Sequence, residues 1–341
     1  MKFDEFLFSY IGEMGRYQKL QFLLVCLPTI IVSMHALSWS LAAVTVPSRC
    51  ALPSETHESP YLTNDSSFSI RFCKDWNDVP VSKSEFGNPG IHCYYNEECK
   101  LNGEQCSVHV YDRSRIRYSA VDRFDISCSR GWIRATVQAC YYAGQMIGSM
   151  VFGVLGDRIG RKKVFFIAIL VQISCGLASV VAPSWWLFAF LRAGLGFSHP
   201  GIFVIAVVLG MELVGPQYRK LASVITGGFF AIGQILLGIE GCYLTDYRHL
   251  QLAIVSPAFF FLSYWWLVPE SARWLVTQRR YMDADKVLQR AAKINGVTLP
   301  EHCQCFYPFG QFWYCIGDPG DVLLIEGVYR SLELIINALQ G

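Results

Sequence analysis

Ionisable side chains inside long apolar runs are the residues here most able to do chemistry. Arg192 and His199 lie in a run from about Trp185 to Met211, Glu240 lies late in a run from about Leu221 to Leu244, and His35 lies in the first run of the chain. A charge in hydrocarbon is costly, so such groups face a water-filled cavity, pair with one another, or mark a substrate path. Glu240 has three readings. It contacts an organic cation or a proton, it pairs with Arg192, or it reaches water from its place about one turn before Thr245 and Asp246. Aromatic ring faces attract cations. Phe230 and Trp265 are candidates for that role beside Phe229 and Trp266, although 14% aromatic content places many rings by chance. His199-Pro200-Gly201 is either a helix break that lines a site or an ordinary kink.

A second cluster of charge sits between two apolar runs. Gly153-Val154-Leu155-Gly156-Asp157-Arg158-Ile159-Gly160-Arg161-Lys162-Lys163 is a glycine-rich turn carrying one acid and four bases. No strand precedes it, its glycine spacing is not that of a dinucleotide loop, and it has no Walker pattern. A merely basic loop explains the bases but neither Asp157 nor Gly153, Gly156 and Gly160. Glu212, Arg219, Glu270 and Arg273 fall near the ends of later apolar runs, where acids and bases can pair.

Cys50, Cys73, Cys93, Cys99, Cys106 and Cys128 share one polar stretch with Asn64-Asp65-Ser66, an N-glycosylation triplet. An even set of cysteines in a polar segment points to disulfides in an oxidising compartment, with the pairing left open. Zinc binding by His92, Cys93 and Cys99, or metal binding by Cys303, Cys305 and Cys315, is the weaker reading. No cofactor or metal is expected.

The elements that must position these groups follow from composition. Of 341 residues, 52% are hydrophobic and only 16% charged, whereas soluble domains carry about a quarter charged residues. The net charge of +2 and the lack of a basic run argue against a nucleic-acid partner. A membrane span takes about 20 mostly apolar residues. Six runs qualify: about Leu20–Val46, Ile133–Leu155, Val164–Ala182, Trp185–Met211, Leu221–Leu244 and Leu250–Leu267. The first is too long, and too far from the start of the chain, for a cleaved signal peptide. Arg158, Arg161, Lys162 and Lys163, then Arg219 and Lys220, then Arg273, Arg279 and Arg280, mark one side of the bundle. Positive residues stay inside, so residues 1–19 are expected in the cytosol and 47–131 outside. Spans 2–6 then occupy 132–272, cytosolic helices 273–300, and a divergent tail 301–341.

The loop Gly153–Lys163 resembles the signature between spans two and three of the major facilitator superfamily. Gly12-Glu13-Met14-Gly15-Arg16-Tyr17-Gln18, Tyr111-Asp112, Phe124-Asp125-Ile126-Ser127-Cys128, Arg192-Ala193-Gly194, Glu212–Arg219 and Pro269-Glu270-Ser271-Ala272-Arg273-Trp274-Leu275 narrow the resemblance to its organic cation/carnitine transporter branch. Ser127 and Ala272 depart from that branch's pattern. The resemblance covers about residues 5–300 and implies an all-α membrane protein. Its fold would be the N-terminal six-helix bundle of a major facilitator, with a large disulfide-bearing extracellular loop between spans 1 and 2. The family continues through six further spans, so the chain reads as one half.

The resemblance also implies alternating access, in which two halves rock around a central site. Gly153, Gly156, Asp157, Arg158, Gly160, Arg161, Glu212, Arg219, Glu270 and Arg273 would form an inner gate. In that gate Asp157 accepts from the N–H groups of a facing helix start, or pairs with Arg161 or Arg219. The expected activity is transport of organic cations or carnitine-like zwitterions across the plasma membrane, with no enzyme chemistry. Glu240, Arg192, His199, Phe230 and Trp265 are the candidate contacts for substrate or ion. The alternative is a non-transporting isoform that acts as a regulatory or receptor-like membrane protein. Partners would be a small organic ion, the lipid bilayer, and a second copy or a full-length relative.

Overall fold

The structure is a computed structural model. It describes residues 11–46, 48–51, 59, 71–72, 93–94, 96–97, 100–101, 104–105, 108–114, 116–127 and 130–298. Asn64, Cys73, Cys99, Cys106, Cys128 and the 301–341 tail lie outside them, as does the side chain of Cys93.

Helix α1 (Arg16–Ala42) runs through Pro28 without ending. Strand β1 (Ser48–Cys50) follows and pairs antiparallel with β2 (His109–Tyr111), in the register Ser48 to Tyr111 and Cys50 to His109. Between them, Arg71–Phe72 and Cys93–Tyr94 pair in parallel, and Asn96–Glu97, Lys100–Leu101 and Glu104–Gln105 form a short antiparallel ladder. These strands depart from the all-helical expectation. They lie in the polar stretch, where apolar periodicity gave no element to read.

Five further helices precede the last run of the bundle. The short α2 (Ala120–Phe124) is capped by Ser119 Oγ, which accepts from Asp122 N, and it ends at Asp125 in a left-handed conformation. Then come α3 (Trp132–Ile159), α4 (Arg161–Val181), α5 (Trp185–Leu213) and α6 (Arg219–Tyr243). These match the expected runs to within a few residues at each end. The last run is not one α-helix. It divides into α7 (Tyr247–Val255), a 3-10 stretch Ser256–Ser263 and α8 (Tyr264–Leu267). Pro257 has no N–H to donate to the α7 ladder, and the chain tightens there. Helix α5, by contrast, continues through His199-Pro200-Gly201, so that triplet does not interrupt the span.

Five of these segments are long and apolar enough to cross a membrane by length and composition: α1, α4, α5, α6 and Tyr247–Leu267. The sixth expected span, α3, has 28 residues but carries Gln138, Gln145, Ser149 and the Tyr141-Tyr142 pair, which lower its mean hydropathy. Its buried stripe (Ile133, Val137, Tyr141, Gly144, Gly148, Phe152, Gly156) recurs every three or four residues and lies against α5. A Cβ at Gly144 or Gly148 would collide with the carbonyl oxygen of Ala193 or Phe197, and one at Gly196 with that of Tyr141. The α3 and α5 backbones therefore touch, as small residues permit in packed spanning helices.

At one end of the bundle, α9 (Ala272–Thr277) and α10 (Tyr281–Asn295) fold under the start of α1. Asn295 Oδ1 accepts from Tyr17 N at 2.9 Å, while Asn295 Nδ2 donates to Ile11 O at 3.2 Å and Gln18 Oε1 at 2.9 Å. At the opposite end, the strap that carries β2 and α2 crosses the turn into α7. Tyr247 N donates to Tyr118 O at 3.0 Å, and Tyr118 forms a β-bridge with Asp246. Trp39, Phe124, Phe188 and Tyr247 pack there as one aromatic cluster.

Candidate functional site

Arg192 and His199 stand two turns apart on α5, so they share a face. Between them from α3 comes Tyr141, which the sequence reading did not single out. Its Oη lies 2.8 Å from His199 Nδ1 in a hydrogen bond. The Arg192 guanidinium lies 4.9 Å from the centre of the Tyr141 ring. Arg192 is fully buried (0% exposed). Its Nη1 donates to His35 O at 3.0 Å and to Ser38 Oγ at 2.8 Å on α1, and Gln251 Nε2 on α7 donates to the same Ser38 Oγ at 3.5 Å. One arginine thus ties α5 to α1, with α3 and α7 beside it. Arg192 Nε and Nη2 and both ring nitrogens of His35 are buried without partners, and among the described residues no carboxylate pairs with Arg192.

The ring of His199 continues the chain of contacts toward α6. Its centre lies 6.0 Å from both Phe203 and Phe230, and those two rings lie 5.3 Å apart. The structure therefore brings together Arg192, His199 and Phe230 of the five expected contacts. Glu240 stands apart: it makes no pair with Arg192 among the described residues, and its Oε2 is buried without a partner near the far end of α6. Trp265 is elsewhere as well, in a tilted ring contact with Phe166 (5.1 Å) and with Lys162 Nζ 5.4 Å from its ring centre. The signal for Tyr141 was present in the sequence. It falls on the same helical stripe as Gly144 and Gly148, and a small-residue stripe marks the side of a helix that meets a neighbour.

A charged network sits where α3 turns into α4. Gly160 makes the turn with φ +108°, and a side chain there would strike the Glu270 carboxylate and the Trp274 ring. Arg161 is the hub. Its Nη2 lies 2.9 Å from Asp157 Oδ1, its Nε 3.5 Å from Glu212 Oε1, and its Nη1 donates to Gly156 O at 3.0 Å. Asp157 was expected to receive N–H groups from a helix start, or to pair with Arg161 or Arg219. The pairing is what forms, and Asp157 remains 77% exposed at its side chain. The helix start is instead received by Glu270, whose Oε1 accepts from Lys162 N at 3.0 Å and Ser271 N at 3.1 Å. Burial raises the Glu270 carboxyl above its ordinary range, and the N–H groups of Lys162 and Ser271 pull it partly back. Trp274 Nε1 donates to Asp157 O at 2.9 Å, which locks α9 to the turn. Gly156 packs against Ile205, and Gly153 faces open space. Arg158 is exposed on the same turn, Arg219 opens α6, and Arg273 lies in the first turn of α9.

At the opposite end Asp125 gathers its own cluster. His109 Nδ1 lies 3.2 Å from Asp125 Oδ1, Tyr111 Oη donates to the same oxygen at 3.0 Å, and Arg130 lies 3.7 Å from Oδ2. The hydrogen bond with His109 leads in holding the Asp125 carboxyl below its ordinary range. Asp122, nearly buried, is paired by Arg113 at 3.0 Å. Cys50 is disulfide-bonded, while Cys26, Cys140, Cys175 and Cys242 are free.

The family model described as "Sugar (and other) transporter" matches residues 104–303. A Drosophila melanogaster protein named "Organic cation transporter protein" is 36% identical over 304 residues, covering 88% of this chain and 54% of its own length. The mouse "Solute carrier family 22 member 4" is 29% identical and covers 87% of this chain and 55% of its own length. The chain spans about half the length of the curated relatives it matches. A partially occluded inward-open structure of the xylose transporter XylE from E. coli covers 84% of this chain and 59% of that one, at 16% identity and a TM-score of 0.45.

Proposed function

This chain belongs to the sugar (and other) transporter family, and from that premise we propose that it is the six-span N-terminal half of an alternating-access carrier for organic ions. It is a multi-pass membrane protein whose relatives are transporters rather than enzymes. In this reading α3 is the remaining span, admitted by its length and by its backbone contact with α5. The Arg161 end faces the cytosol, because the basic residues cluster there. The Cys50 end, with Asn64 as a glycosylation site and the remaining polar-stretch cysteines paired, faces outward at the plasma membrane.

The observation that supports this most is the folded form of the Gly153–Lys163 loop. A basic loop serving orientation alone needs no acid partners. Here Arg161 joins Asp157 on α3 with Glu212 on α5, and Glu270 holds the first turn of α4. Such ties lock the relative positions of helix ends at the cytosolic face, and separating them opens it. The open oxygen of Asp157 leaves it able to engage a second six-helix half across that face. Cargo is an organic cation, in line with the names of the organic cation transporter relatives, or a carnitine-like zwitterion. His199 and Phe230 border its path, and Arg192 stands behind them.

Uptake of a labelled quaternary ammonium separates the outcomes. Cells would express this chain alone, or a version completed with six further spans. The completed version should accumulate label, and Arg161→Ala should lower that accumulation at least several-fold. Absence of uptake of any organic ion by the completed version overturns the reading.

A further inference from the structure

We propose that His199 is the hydrogen-bond donor this half presents to cargo. It would be a neutral imidazole locked by Tyr141 with its proton on Nε2, receiving the carboxylate end of a zwitterionic cargo while Phe203 and Phe230 hold the apolar part. The inference rests on the transporter reading and names the cargo class at its site.

The tautomer follows from what each arrangement leaves unpaired. Tyr141 is 1% exposed, and its Oη has His199 Nδ1 as its hydrogen-bond partner. If Nδ1–H donated to the phenol, the phenolic hydrogen would be buried with no acceptor. A buried unpaired polar group disfavours that arrangement by roughly 5- to 150-fold. If the phenol donates, Nδ1 accepts and nothing at Tyr141 is orphaned. Arg192 pushes the same way. Its guanidinium over the ring face draws electron density from the ring and makes the O–H a stronger donor. His35 O and Ser38 Oγ hold the guanidinium in that place.

The proton then sits on Nε2. Among the described residues that atom has no hydrogen-bond partner and, unlike both ring nitrogens of His35, it is not sealed from the surface. It opens beside Phe203 and Phe230, each half-buried. The same corner is hostile to a cationic head. Arg192 is a permanent cation that already occupies the Tyr141 ring face, and Glu240 is not joined to it. The site offers a donor, a nearby positive charge and two half-buried aromatic rings. That combination recognises a carboxylate or carbonyl oxygen attached to an apolar body.

The test uses the full chain in lipid nanodiscs, labelled with 15N-histidine, with His199 assigned by comparison with His199→Gln. The probes are benzoate and its cationic counterpart benzyltrimethylammonium. The unliganded spectrum should show His199 as the Nε2–H tautomer. Benzoate should shift its Nε2 resonance saturably, and benzyltrimethylammonium should not. Tyr141→Phe should mix the tautomers and weaken benzoate several-fold. His199→Gln, which keeps an N–H donor near the Nε2 position, should retain more affinity than His199→Phe, which should lose about 10-fold or more. An Nδ1–H tautomer in the wild-type chain overturns the inference, as does an equal response to both probes or no response to either. Uptake by the completed carrier with benzoate inert sinks this inference alone and leaves the transport reading standing.

Discussion

Two carboxylates at opposite ends of the bundle differ in the sense of their perturbation, and each makes a prediction. Asp125 titrates below its ordinary range because His109, Tyr111 and Arg130 favour its charged form. A depressed folded value means that the unfolded chain binds the proton more readily. The stability it contributes is therefore present above about pH 3.9 and is lost as pH falls toward the folded value. Asp125 is partly exposed, so solvent screening keeps this contribution small. Asn tolerates the left-handed backbone at this position, so Asp125→Asn isolates the charge. Thermal unfolding of the variant should lose part of its acid sensitivity below pH 4, and an unchanged pH profile would count against the cluster. Glu270 acts mainly through its acceptor oxygen. Glu270→Ala leaves the N–H groups of Lys162 and Ser271 without it, which costs roughly 1–3 kcal/mol. Glu270→Gln keeps one oxygen and should recover most of that loss in the same unfolding measurement.

At the scale of elements, the crossing of α3 and α5 sets the geometry of the His199 corner, and glycine makes that crossing possible. Gly148→Ala places one methyl against the Phe197 carbonyl oxygen, which the backbones can accommodate only by separating. The expected loss is about 1–3 kcal/mol, as for other overpacked sites. Gly153→Ala adds the same atom to the same helix with nothing within 4 Å, so it should be neutral or stabilise by up to about 1 kcal/mol. Unfolding midpoints that moved alike for both variants would refute the close contact. These positions also show what the sequence exposed and what it hid. Apolar run length placed the long helices, and the glycine-rich loop with its flanking acids placed the Arg161 network. Periodicity could not show that the run at Leu250–Leu267 splits at Ser256-Pro257, nor that α5 carries Pro200 without breaking, because each run holds one proline and the apolar pattern does not say which of them ends an α-helix. Tyr141 and Asn295 were missed because each acts through a partner far along the chain. Tyr141 reads as one aromatic among many until α5 is laid against its stripe. Asn295 looks like a helix-ending residue before Gly296 until the start of α1 is seen to depend on it.

For the whole molecule, the surface left exposed is not uniform. On α3, Tyr142, Met146 and Met150 repeat every four residues and are open, Met146 at 60%. On α6 only Ala222, Thr226, Gly233 and Leu237 are fully buried, and Val224, Ile232, Ile235, Leu236 and Ile239 are exposed. These two helices flank the part of α5 that carries His199 and Phe203, so the polar cluster lies just behind an apolar surface. Helix α4 also exposes apolar residues, including Leu170 at 41%. A face that borders a water-filled path and a face that meets lipid differ in their access to a membrane-impermeant reagent. With Cys242, the exposed free thiol among the described residues, replaced by Ser, a cysteine at Met146 should react with an impermeant maleimide in cells expressing the completed carrier, and a cysteine at Leu170 should stay unreactive. Benzoate should slow the reaction at Met146 if the His199 corner lies on the same path. Equal labelling at both positions would place both helices in one environment and remove the distinction between the two faces.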